Sequence, residues 1–89
     1  MVAHPKSAFR RQIGARLRGL RLGAGIKSQE KLAELAGVHR TYIGRLERGE
    51  SGVTVEALAA ILNAISTSLG EFFRPFSQPV RTRAPRRRE

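Results

Sequence analysis

At 89 residues with 40% hydrophobic side chains, the chain is long enough for one compact domain with a modest core. It has no cysteine, which excludes a disulfide framework and a thiolate zinc site, and no apolar run near the ~18 residues of a membrane span. A formal net charge of +10 favours an anionic partner, nucleic acid ahead of an anionic membrane surface.

The charge is spread over the chain. Residues 1–76 carry twelve Lys or Arg against six Glu, and residues 77–89 carry five Arg against one Glu, so the body is basic without its tail. The first residues form no signal-peptide apolar stretch, and the cytoplasm is the expected compartment.

Pro5 and Ser7 read as a helix start, with Ser7 as N-cap. Phe9, Ile13, Leu17, Leu20 and Ala24 then recur at three- and four-residue steps, the period of one helix face. A first helix is expected over 8–22, with Arg10, Arg11, Arg16, Arg18 and Arg21 on its remaining surface and Gly23 and Gly25 ending it. Ser28 caps a second helix, with Glu30 where the helix dipole favours an acid and Leu32, Leu35 and Ala36 as its apolar stripe. Gly37 stops that helix after two turns in a left-handed conformation. A third helix runs over 40–48 with Ile43 and Leu46 inward. Thr54 caps a fourth, which buries Leu58, Ala59, Leu62 and Ile65. Ser68 and Glu71 form a capping box for a short fifth helix that ends before Pro75. The reading is all-α: an arm over 1–7, a five-helix domain over 8–76, and a tail over 77–89 too polar to offset its ordering entropy.

The informative stretch is QEKLAELAGVHRTYIGRLE, residues 29–47. Two short helices meet at Gly37 almost without a linker. A steep crossing needs a small contact residue, which Ala33 supplies, and the sharp turn needs positive φ, which Gly37 supplies. Leu32, Ile43 and Leu46 pin the second of these helices to the core. Arg40, Thr41, Gly44 and Arg45 are then left to solvent. A helix held on one side and polar on the other can enter a DNA major groove.

Together RLRGLR, SQEKLAELAGV, HRTYIGRLERGE, VTVEALAAIL and SLGEFF resemble the Xre/Cro/CI family of helix-turn-helix regulators over about residues 10–73. HRTYIGRLERGE and LGEFF especially resemble its short members, including restriction–modification controller proteins. The resemblance implies a lambda-repressor-like five-helix bundle whose third helix reads double-stranded DNA, and hence a transcriptional regulator. It makes Arg40, Thr41 and Arg45 the base-facing candidates. Gln29, Tyr42 and Arg48, with Lys27 and Ser28, become the phosphate-contacting ones. It pairs Glu47 with Arg21 as a structural tie. His39 stands where the family has Ser, Thr or Asp as the cap of the reading helix, and imidazole is a poorer cap. Family members bind as two-fold dimers, and Ile65, Leu69, Phe72, Phe73 and Phe76 are the candidate homodimer interface, with at least one phenylalanine reserved for the core.

His4 and His39 are far apart and the chain contains no Asp, so neither a metal nor a cofactor is expected. Nothing arranges a nucleophile beside an oriented base, so the protein is not read as an enzyme. Two other readings stay open: a toxin–antitoxin-type interaction module with a protein partner, and a non-specific nucleic-acid binder driven by arginines. The tail suits phosphate or minor-groove contact and equally suits no role.

Overall fold

The computed structural model describes residues 5–77. The tail beyond Ser77 and residues 1–4 of the arm lie outside the described residues. In chain order the elements are α1 (Pro5–Gly23), α2 (Gln29–Ala36), α3 (Arg40–Glu47), α4 (Val55–Ala64), α5 (Leu69–Phe73) and a 3-10 turn, Arg74–Phe76. There is no strand among the described residues, and none of their helices is long and apolar enough to cross a membrane.

Local chemistry sets most of the boundaries. The side chains of Ser28, Thr54 and Ser68 each accept the backbone N–H three residues on, at 2.9, 3.0 and 3.0 Å, which satisfies one orphan donor per helix. Gly37 closes α2 at φ 73°, and the Val38 N–H turns back to the Ala33 carbonyl at 3.0 Å. The start of α1 differs from expectation. The helix begins at Pro5, whose missing N–H costs nothing in a first turn, so Ser7 lies inside the helix instead of capping it. The capping box at α5 is only half made. Ser68 accepts from Glu71, but the Glu71 carboxylate turns to Arg74 at 2.8 Å. Pro75 lies inside the 3-10 turn that extends α5 by three residues.

The core joins all five helices: Leu17 from α1, Leu32 from α2, Ile43 from α3, Ile61 and Leu62 from α4, and Phe72 from α5 are fully buried. Three side chains assigned inward by periodicity are exposed, the first being Ala24, which lies just past the end of α1. Leu35 is 50% exposed, because α2 buries only a narrow stripe and Leu35 sits about 200° round the helix from Ala33. Phe9 is 49% exposed and instead lies edge-on to Phe76, ring centroids 5.9 Å apart. Conversely Ile61, outside the expected stripe of α4, is completely buried.

Ser66, in the turn after α4, holds φ 53°, a left-handed conformation that costs an L side chain energy. Ser66→Gly is expected to stabilise the fold by about 0.5–1 kcal/mol, the relieved strain less the extra chain entropy of glycine. A thermal melt checks this; an unchanged or lower Tm would show that the turn is unstrained.

Candidate nucleic-acid interface

The two ends of the α2–turn–α3 unit are held by different devices. At the start of α3, the His39 ring caps the helix after all: Nδ1 accepts the Thr41 N–H at 3.1 Å. That acceptor role puts the ring proton on Nε2. At the far end, Glu47 is buried and receives Arg21 from α1 through two bonds, Nε to Oε2 at 2.7 Å and Nη2 to Oε1 at 3.1 Å. The third Arg21 nitrogen, Nη1, donates to the Ile26 carbonyl at 2.9 Å, and the Gln29 amide adds a bond to Glu47 Oε1 at 3.0 Å. Both charged side chains are at most 3% exposed. The ion pair therefore links α1, the following loop, α2 and α3, with the carboxylate's charge compensated and most of its lone pairs filled.

α1 reaches α3 this closely because of Gly14. A Cβ there would stand 2.2 Å from the Leu46 carbonyl oxygen and 2.6 Å from that of Glu47. The helix backbone thus rests directly on the C-terminal carbonyls of α3.

With Ile43, Leu46 and Glu47 turned inward, the opposite side of α3 is open. Arg40, Thr41 and Arg45 are exposed on it. Arg40, Gly44 and Arg48 form one i, i+4 row and Thr41 and Arg45 the row beside it. Gly44 departs from expectation. It is buried, because the side chains of Gln29 and Arg48 arch over it; a Cβ at Gly44 would lie 3.1 Å from both Gln29 Oε1 and Arg48 Nη1. The glycine makes the floor of a shallow groove walled by Gln29, Arg40, Thr41 and Arg48.

The remaining phosphate candidates divide. Lys27 and Ser28 are exposed at the entrance to α2, and the Ser28 hydroxyl, engaged as a cap acceptor, keeps its proton to donate. Gln29 is half-buried, with one amide proton committed to Glu47 and one left. Tyr42 is half-buried, packs against the core and lines a second shallow depression with His39, Thr41 and Arg45.

Arg48 is exposed but not loose. Its Nε and Nη2 donate to the two Glu50 oxygens at 3.0 and 3.2 Å. The hydrogen bond from Arg48 holds the Glu50 carboxyl below the usual glutamate range, with a further attraction from Arg45, and Glu50 in turn raises Arg48. This pairing is complete above the ordinary glutamate range and is lost as the pH falls through the lowered value. Sequence reasoning missed Glu50, since a residue three positions past a helix end carries no periodic signal. It also left Arg16 among the surface arginines. Arg16 instead donates to the Phe72 and Glu71 carbonyls at 2.9 and 2.7 Å, tying α1 to α5.

At the candidate self-association end, two assignments fail. Phe72 is completely buried and Ile65 is 8% exposed, so both belong to the core and offer almost no surface to a partner. Leu69 is 37% exposed, and Phe73 and Phe76 are half-buried in an edge-to-face aromatic cluster. Phe9, Val55, Leu69 and Phe73 share a groove of about 250 Å³.

This arrangement has close counterparts. Over residues 12–72 the sequence matches the model of a helix-turn-helix domain. It is 52% identical over 42 residues to control protein C.SmaI of Serratia marcescens, an alignment covering 47% of this chain and 50% of that protein. With control protein C.BamHI of Bacillus amyloliquefaciens it shares 40% identity over 52 residues, 58% of this chain and 64% of the relative. The chain thus spans between half and two thirds of the length of these two relatives. Its fold superimposes on the crystal structure of the restriction-modification controller protein C.AhdI from Aeromonas hydrophila with a TM-score of 0.73 and 37% identity, covering 79% of this chain and 100% of that one. With the family match extending over most of the chain, and with a short helix anchored by Ile43, Leu46 and Glu47 beneath exposed Arg40, Thr41 and Arg45, this protein belongs to the helix-turn-helix domain family.

Proposed function

We propose that this protein is a sequence-specific, double-stranded-DNA-binding transcriptional regulator of the cytoplasm that inserts α3 into the major groove. The observation that carries the reading is the division of α3 into a buried apolar side and an exposed side bearing Arg40, Thr41 and Arg45. Arginine bonds bidentately to guanine O6 and N7, and threonine offers a hydroxyl and a methyl to a base edge. Lys27, Ser28, Gln29 and Arg48 flank these residues and serve the phosphates, fixing register.

The protein works as a homodimer on a two-fold operator, with the two α3 helices about 34 Å apart. Exposed Leu69, half-buried Phe73 and their neighbours Phe9 and Val55 supply the apolar contact, since isolated small domains rarely leave such residues clustered at one end. The control proteins among its relatives support a regulatory role.

Selection of bound duplexes from a random library tests the whole reading. A recovered palindrome is the expected result. Enrichment of no sequence would favour the arginine-driven non-specific binder, and enrichment of a single unrepeated half-site would remove the dimer. On the recovered duplex, Arg40→Ala and Arg45→Ala are each expected to lose about 1–3 kcal/mol and to relax preference at one base pair. Equal losses on random DNA would instead make these residues phosphate contacts.

A further inference from the structure

An acid on a surface that meets phosphates calls for a reason, and Glu50 has no structural one. Its pair with Arg48 is about half exposed on both sides, at 52% and 55%, where ion pairs contribute little to stability. It also stands just past the C-terminus of α3, where the helix dipole disfavours a negative charge. Its backbone N–H bonds the Arg45 carbonyl at 2.8 Å, which fixes the residue at the end of α3, and its carboxylate grips Arg48.

What Glu50 does to Arg48 is specific. Its two oxygens take Nε and Nη2 side-on, the same fork a phosphate would occupy. The Nη1 end is left pointing over Gly44 beside the Gln29 amide, on the floor of the groove next to Arg40 and Thr41. We propose that Glu50 is a specificity-determining positioning residue: it withholds one edge of Arg48 from the phosphates of any duplex and holds the other edge where only a duplex seated on Arg40, Thr41 and Arg45 meets it.

The physical consequence is asymmetric. Non-specific binding is almost wholly electrostatic, so a carboxylate beside the phosphates weakens it in full. Binding to the correct sequence suffers the same repulsion but regains part of it through the ordered guanidinium, whose rotamer freedom is already lost. Glu50 therefore widens the gap between right and wrong DNA while lowering affinity for both. This inference rests on the DNA-reading function proposed above.

The test measures Glu50→Gln against a random-sequence duplex and against the duplex recovered by selection, over a salt series. The random duplex is expected to bind roughly three- to tenfold tighter, with a salt dependence steeper by about 0.9 in the logarithmic slope. The selected duplex is expected to gain less, so the discrimination ratio falls. In an Arg48→Gln background the same substitution is expected to leave the ratio unchanged, which a bare loss of surface charge would not do. Unchanged affinity for random DNA, equal gains on both duplexes, or the same loss of discrimination without Arg48 would each overturn the proposal. Failure of the underlying DNA-reading function looks different: the unmutated protein would show no preferred duplex at all.

Discussion

Gly14→Ala is expected to destabilise the protein by about 3 kcal/mol or more, a fall in Tm of roughly 12–24 °C for a domain of this size. Two effects oppose each other. Alanine is the better helix former by about 1 kcal/mol, which favours the variant. Against that, the added methyl would stand 2.2 and 2.6 Å from two backbone carbonyl oxygens, Leu46 and Glu47, which cannot swing aside as a side chain does. Relief requires α1 to lift from α3, and lifting α1 stretches the buried Arg21–Glu47 bonds. The clash wins. Gly19→Ala is the matched control in the same helix: nothing lies within 4 Å of a Cβ there, so it should gain up to about 1 kcal/mol. Thermal melts of the two variants moving in opposite directions would establish the close approach at Gly14. Parallel shifts would dismiss it.

The second large effect concerns Arg21 and Glu47. Replacing either with alanine is expected to cost about 3–5 kcal/mol, since each leaves a charge buried without its main partner. Glu47→Ala leaves the Arg21 guanidinium with the Ile26 carbonyl alone, and Arg21→Ala leaves the carboxylate with the Gln29 amide alone. The double variant Arg21→Met with Glu47→Leu is expected to be more stable than either single alanine variant, because desolvation of both charges is avoided and the volume is kept. Urea midpoints with unchanged m values read this directly. Additive losses would mean that the two side chains act independently. The pair also restrains Gln29, so the double variant, folded but without the anchor, separates the network's contribution to DNA binding from its contribution to folding.

Much of the fold was legible because it is encoded locally. Ser28, Thr54 and Ser68 cap within three residues, and Gly37 turns the chain by itself. The Arg21–Glu47 pair, 26 positions apart, came only from family resemblance. What escaped depends on neighbours distant in sequence. Periodicity marks Leu35 as apolar but does not say that α2 presents only Leu32 and Ala33 to the core. It puts Gly44 on the open face, yet Gln29 and Arg48 cover it. Phe72 and Phe73 are adjacent and chemically identical; only the packing of α5 on α4 decides that the first fills the core and the second stays half-buried. Residue type alone makes His39 a poor cap, yet its ring nitrogen lies at hydrogen-bonding distance from the Thr41 N–H once the turn at Gly37 sets the approach.

Arg40, Thr41 and Arg45 touch solvent while the anchoring of their helix is left to Ile43, Leu46 and Glu47. Surface substitutions of that kind seldom change stability by more than about 0.5 kcal/mol. Under the DNA-reading function proposed above, target preference can therefore drift by single codon changes at little cost to folding, and these exposed positions are where engineered retargeting should begin.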